Sequence, residues 1–163
     1  MSVQKVREYL KKFGMENRLR EFPVSSATVA LAAQALQVEE ARIAKTISFY
    51  AEDGCILIVT AGDAKIDNAK FKAEFGIKAK MLAPEDVERL TGYRIGGVCP
   101  FGNPPEARVY CDLSLKRFTT VYPAGGSSNS CVELNCEELF RVSGSRKWLD
   151  VCKNWQETGG QKK

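Results

Sequence analysis

The chain of 163 residues contains no histidine. That excludes every Ser-His and Cys-His catalytic arrangement and removes the commonest metal ligand. Chemistry here has to come from lysine, carboxylates, thiols, backbone or the substrate itself. Paired cysteine spacing is missing as well. Cysteines stand at 55, 99, 111, 131, 136 and 152 with no CxxC pair. The nearest two, Cys131 and Cys136, would point to opposite faces of a period-2 strand. Neither a metal nor a cofactor is expected, and the thiols read as reduced, several of them as small core residues. Long apolar runs are lacking too. Nothing approaches the ~20 residues needed to cross a bilayer, and Met1-Ser2-Val3-Gln4-Lys5 opens a polar amphipathic pattern rather than a signal-peptide apolar region. The expected location is cytoplasmic, with no membrane partner. A large charge excess is also absent: the net charge of +4 permits an anionic partner without demanding one.

What is present fits one domain over residues 1–155 with a polar, glycine-rich, disordered tail over 156–163. Val3, Val6, Leu10 and Phe13 recur at helical spacing, with Ser2 as a cap and Gly14 as a stop. A short strand is predicted over 19–22. A helix capped by Ser25 or Ser26 carries Val29, Leu31, Ala32, Ala35 and Leu36, and a turn over 39–42 leads into a strand over 43–50. Glu52-Asp53-Gly54 reads as a hairpin turn, and the continuously apolar 55–60 as a strand buried on both faces. Helices follow from Asp67 or Asn68 to Gly76 and from Pro84 to Gly92. A short strand is predicted over 78–81, with others over 107–112, 118–122, 130–134 and 148–152. A helix over 137–142 takes Asn135 as its cap. The mixed order of elements predicts an α+β single domain, a mixed, barrel-like sheet with surrounding helices.

The segment Gly96-Gly97-Val98-Cys99-Pro100-Phe101-Gly102 fits neither a regular helix nor a central strand, since glycine weakens both and proline donates no ladder hydrogen bond. It is either a rigid loop presenting bare backbone N–H groups to a ligand or a plain tight loop between two elements. Lys45 is the only cation between Ile43 and Tyr50. It shares a face with Ile43, Ile47 and Phe49, so it reaches a wet cleft or a partner, or it snorkels from a half-exposed face. Asp63 ends a buried strand, as a site residue or as a turn aspartate bonding local backbone. Gly125 to Ser130 is a second glycine-serine loop, presenting groups to a ligand or linking two strands. Lysines 65, 70, 72, 78 and 80 are a solvated face, or a nucleic-acid footprint if they share one side of the fold.

Taken in order, Ile43-Ala44-Lys45-Thr46-Ile47, Gly62-Asp63 with Lys65 and Lys70, Thr91-Gly92-Tyr93, Gly96 to Gly102, Asp112, Ala124-Gly125-Gly126 and Val132-Glu133-Leu134 resemble the YbaK / prolyl-tRNA-synthetase-associated domain family of aminoacyl-tRNA editing deacylases, from about residue 3 to about 152. The resemblance implies a mixed barrel-like fold and hydrolysis of the ester between a wrong amino acid and tRNA. Lys45 matches the family's functional lysine. Gly96 and Pro100 match its GxxxP motif, whose backbone, with Gly97, Val98 and Cys99 between, cradles the aminoacyl group. Phe22, Ser26, Thr28, Asp63, Ser127 and Cys131 are candidates for the pocket wall. The sequence departs from the family at Cys131, where members often carry a hydrogen-bonding residue. The expected activity is stand-alone trans-editing of tRNA mischarged with a small amino acid, with the acceptor end of aminoacyl-tRNA as partner and a synthetase as a second route to tRNA choice. The alternatives are a non-catalytic module that holds tRNA 3′ ends or a protein, and a thiol enzyme using Cys99. Such a pocket has a physical reason to exist, because small amino acids differ by only ~1–3 kcal/mol in a synthetase site.

Overall fold

A computed structural model describes residues 2–155 of the chain. The capping role expected of the Ser2 side chain, and the tail over 156–163, lie outside what is described. The framework is a hairpin of β2 (Ile43–Ala51) and β3 (Gly54–Ala61), closed by the two-residue turn Glu52-Asp53 with Ala51 opposite Gly54. Every residue of β3 from Cys55 to Ala61 is buried, as its unbroken apolar run requires of a strand covered on both faces. β3 pairs in parallel with β5 (Ala107–Asp112), which pairs in parallel with β9 (Trp148–Leu149). On the other side β2 meets β6 (Thr120–Pro123) in parallel over Ile43 and Ala44 alone. β6 then pairs antiparallel with β8 (Leu134–Asn135). The order β8-β6-β2-β3-β5-β9 curls into a half-barrel, a mixed α+β fold as the element order predicts. Two short antiparallel pairs complete it: β1 (Leu19–Glu21) with β7 (Ser130–Val132), and β4 (Lys65–Ile66) with β10 (Cys152–Lys153).

The helices cover the sheet. α1 (Ser2–Lys11) buries Val6 and Leu10. The chain turns at Gly14, where φ is +70°, so Phe13 falls past the helix and is exposed. α2 (Val29–Leu36) is capped by Thr28, whose hydroxyl accepts from Leu31 N–H at 3.1 Å. Ser25 and Ser26, expected as caps, lie too far upstream and meet the Ser128 carbonyl instead. α3 (Asn68–Phe75) takes Asp67 as its cap and buries Phe71 between Phe49 and Phe75, with ring centroids 4.8 and 4.7 Å apart. α4 (Pro84–Thr91) starts on proline and ends at Gly92. α5 (Cys136–Ser143) begins with a capping box of Asn135 and Glu138. No helix among the described residues is long and apolar enough to cross a membrane.

Several predicted strands break where a side chain or a distant partner intervenes. The run over 130–134 divides into β7 and β8, which pair with different strands. The run over 148–152 divides around Val151, whose N–H is taken by the buried Asp112 carboxylate at 2.9 Å. The run over 118–122 starts later because a 3-10 turn occupies Leu113–Arg117. The run over 78–81 reduces to one bridge between Met81 and Phe49.

Candidate active site

The closing pair Ala51–Gly54 fixes which way the backbone of β2 faces. In an antiparallel ladder alternate residues exchange both hydrogen bonds, so Ala51, Phe49, Ile47 and Lys45 bond to β3. Tyr50, Ser48, Thr46 and Ala44 turn their N–H and C=O groups to the opposite side. On that side β6 reaches only Ile43 and Ala44. Further along, Tyr50 N–H donates to the Lys80 carbonyl at 2.9 Å and Leu82 N–H to the Ser48 carbonyl at 3.1 Å. Around Thr46, between these two junctions, no described strand lies alongside β2. A cavity of about 360 Å³ opens in the gap. Its walls are the approach and first turns of α2, the start of α4, the loop at Gly96 and Val98, and Tyr122, Ala124, Ser130 and Cys131 from β6, β7 and their connection.

The glycine-rich loop is rigid. Gly97 N–H donates to the Arg94 carbonyl at 2.9 Å, closing a turn in which Gly96 has φ +94°, a value that suits glycine at the third turn position. A Cβ on Gly97 would lie 2.8 Å from the Gly126 carbonyl, so the two glycine loops touch backbone to backbone. Behind them Cys99 and Phe101 are fully buried. Tyr93 donates its hydroxyl hydrogen to the Phe101 carbonyl, and the Asn103 amide spans the Thr91 and Cys99 carbonyls at 2.8 and 3.0 Å. Only Gly96 and Val98 of this loop border the cavity. Among the described residues no acceptor takes their N–H groups.

Among the described residues Lys45 is the one charged side chain on the cavity wall. Its ammonium donates to the Gly62 carbonyl at 3.3 Å, and no described carboxylate lies within ion-pair distance. Burial pulls its pKa below the ordinary lysine value. Cys152 and Asp63 oppose that shift and the Lys65 charge adds to it. Gly62 is held tightly itself: a Cβ there would stand 2.0 Å from the Glu40 carbonyl. Asp63 does not line the cavity. Both its oxygens are gripped by Arg117, at 2.6 and 3.0 Å, while Arg117 Nε donates to the Ser114 carbonyl at 2.9 Å.

Of the residues singled out in the sequence, the fold gathers Lys45, Gly96, Val98, Ser26, Thr28 and Cys131 around one cavity. Gly97, Cys99 and Pro100 are buried behind the loop because its aromatic and thiol side chains fold inward. Ser127 is bound to Asn129 at 2.9 Å and to Ser130 at 2.6 Å within its own loop. Phe22 packs one layer out, against the cluster of Ala32, Ile43, Tyr122 and Cys131. Cys99 and Cys131 are buried thiols, each pushed up to about 12 by loss of solvation. Both therefore stay protonated at neutral pH, and a thiolate nucleophile is disfavoured. Sequence reasoning missed Thr46, Met81, Ile95 and Tyr122 as lining residues. For Thr46 the signal was present, as the neighbour of Lys45 on a strand edge. For the others it depends on contacts far apart in the chain.

The sequence model of the aminoacyl-tRNA editing domain matches residues 24–142, which contain every wall of this cavity. The chain is 53% identical over 157 residues to the uncharacterized protein YwhH of Bacillus subtilis, covering 96% of this chain and all of that one. It is 27% identical over 113 residues to a protein of Enterococcus faecalis named as a candidate Cys-tRNA(Pro)/Cys-tRNA(Cys) deacylase, covering 68% of this chain and 69% of the relative. The crystal structure of a candidate trans-editing enzyme for prolyl tRNA synthetase superposes with a TM-score of 0.85 at 30% identity, covering 94% of this chain and 98% of that one. With the family model spanning most of the chain and the fold shared with that structure, the chain belongs to the aminoacyl-tRNA editing domain family.

Proposed function

We propose that this protein, acting on its own, hydrolyses the ester of a tRNA mischarged with a small amino acid, and that Lys45, Gly96 and the loop behind it up to Pro100 are its working parts. The observation that carries this reading is a desolvated ammonium, without a carboxylate partner among the described residues, on the wall of a cavity that Gly96 and Val98, whose N–H groups no described acceptor takes, also line. Ester hydrolysis needs an oriented acyl carbonyl, stabilisation of the oxyanion that forms when water attacks, and a leaving group. Free N–H groups and an ammonium supply the second. The Thr46 carbonyl on the open edge of β2 can accept from the α-amino group, which offsets its repulsion by Lys45. Among the described residues no carboxylate lines the cavity, and the chain has no imidazole. The water therefore depends on the vicinal ribose hydroxyl of the substrate, as the family resemblance implies. Water gives up a proton through that hydroxyl as it attacks the carbonyl carbon and forms a tetrahedral adduct; collapse breaks the bond to the ribose oxygen, which takes up the proton as a hydroxyl, and releases the free amino acid. Apolar walls of Ala32, Ile43, Ala44 and Cys131 favour a short neutral side chain. The mild positive charge and family kinship support the acceptor end of aminoacyl-tRNA as partner in the cytoplasm, with a synthetase as a further contact.

The test is single-turnover deacylation across a panel of mischarged tRNAs, with melting curves in parallel. Lys45→Ala should slow hydrolysis by about 10²-fold or more, the usual scale for removing one electrostatic stabiliser. Its melting temperature should hold or rise, since a desolvated, poorly paired charge is removed. Lys45→Arg should also be impaired, because a planar fork does not replace a compact charge. Near-normal rates in Lys45→Ala would defeat the reading. Binding without turnover by the wild-type protein would favour the non-catalytic module.

A further inference from the structure

At about 360 Å³ the cavity is of a size for an aminoacyl group and not for a tRNA end, so under the editing reading the nucleotide that carries the group lies outside its mouth. Among the described residues the two most exposed large apolar side chains are Met81 at 64% and Ile95 at 65%, and both border this cavity. They approach the mouth from different elements: Met81 from the segment bridged to Phe49, Ile95 from the turn that carries Gly96. Scattered apolar residues on a surface mean little. Two that border the same cavity are a different matter, and a thioether and an aliphatic chain suit the face of a base.

A basic stripe leads away from Met81. Lys80 precedes it, exposed, with its ammonium 5.5 Å from the Tyr50 ring. Lys78 and Lys72 line one open depression with Asn68, Ala69 and Ala79. The fold sorts the five lysines of this region. Lys70 is drawn inward to Asp150 and the Cys152 carbonyl, both at 3.1 Å. Lys65 lies opposite Lys153 in the β4–β10 pair. Lys72, Lys78 and Lys80 are exposed, and no described carboxylate lies within ion-pair distance of them. The nearby Glu74 is occupied by Lys147 at 2.7 Å; Asp86, which accepts from the Tyr50 hydroxyl, is occupied by Arg89 at 2.7 Å; and Glu85 of α4 is exposed.

Resting on the editing reading, we infer that this rim and stripe seat the 3′ end of tRNA: the terminal base lies between Met81 and Ile95, and Lys80, Lys78 and Lys72 take the phosphates that follow. A weak, salt-sensitive footprint results, because each phosphate neutralised releases counterions.

The experiment measures equilibrium binding of uncharged tRNA to the full chain between about 50 and 200 mM salt. It compares the wild type, the triple variant Lys72→Gln/Lys78→Gln/Lys80→Gln, and a charge-matched control, Lys116→Gln/Arg141→Gln/Arg146→Gln, on the β9 side of the sheet. The stripe variant should bind at least about tenfold more weakly at low salt. Its slope of log K against log salt should be shallower by about 2, as expected for two to three lost phosphate contacts. The control should keep the wild-type slope. Met81→Ser/Ile95→Ser should weaken binding of intact tRNA and leave binding of tRNA lacking its terminal adenosine unchanged. An unchanged slope in the stripe variant, or equal losses in both triples, overturns the inference, as does a wild type that binds no tRNA. Deacylation is not the readout, so tRNA binding on the stripe without turnover would sink the editing reading and leave the seat standing.

Discussion

Cys136 is the one thiol that is not fully buried; Cys55, Cys99, Cys111, Cys131 and Cys152 are all buried. Cys99 stands in the glycine loop and Cys131 borders the cavity, places where a reagent could be expected to arrive first. The loop instead folds its thiol inward, under Tyr93 and Phe101. Cys55 is pushed up to about 11 and Cys131 to about 12, chiefly by burial, so little thiolate exists at neutral pH in either. Alkylation of the native protein should therefore label Cys136 before any other thiol, and the rest only as the fold opens. Peptide mapping after a short iodoacetamide pulse at about pH 8, near an unperturbed thiol pKa, checks this, and early labelling of Cys99 would contradict the burial. The residue scale also shows what the sequence could say about the site. Lys45 was legible because a lone cation in an apolar strand needs a reason wherever it sits. Asp63 was not, because its partner Arg117 is 54 positions away and nothing local announces it.

α5 is held at its start by two devices that share one carboxylate. Asn135 accepts from Glu138 N–H at 2.8 Å and Glu138 accepts from Asn135 N–H at 3.0 Å, the reciprocal pair of a capping box. The same Glu138 takes both guanidinium nitrogens of Arg18 at 2.9 Å. Asn135→Ala should cost about 1 kcal/mol by loss of the cap, read from denaturant unfolding. The Arg18 hydrogen bonds lower the Glu138 pKa below its ordinary value against the cost of burial, and the Asn135 N–H lowers it further by a smaller amount. A carboxylate lowered in the folded state contributes stability above its unfolded pKa and loses it as pH falls through the folded one. Glu138→Gln should therefore flatten the acid limb of the melting curve below about pH 4.5, the usual glutamate range. An acid limb identical to wild type would show that the pair contributes nothing. Elements with local signals, such as this box, the Asp67 cap and the Pro84 start, could be read from sequence. Strand breaks at Val151 and Glu133 could not, since each is imposed by a partner strand or a carboxylate from elsewhere.

At the scale of the whole molecule, β3 is covered on both faces and both edges, by β2 and β5. Its amides should exchange only through global unfolding, whereas the two-residue strands β4 and β10 should exchange through local opening. Native-state hydrogen exchange by NMR reads this directly, and β3 amides that exchange faster than those of β4 would refute it. The half-barrel was legible as a class, from strands and helices in mixed order. Its strand order was not, because β3 reaches β5 across roughly 50 residues of chain and such pairing leaves no mark at either end.

The open stretch of β2 has one more consequence. An unpaired strand edge is ordinarily a template on which another chain can assemble. Here β6 seals one end at Ala44 and the Lys80–Leu82 segment seals the other at Ser48, with a walled cavity above the few residues between. An invading polypeptide would collide with both neighbours before forming a ladder. A ligand of acyl size would not. The notch is in effect a size filter that admits a small guest to main-chain hydrogen bonding and keeps copies of the protein from aggregating through it.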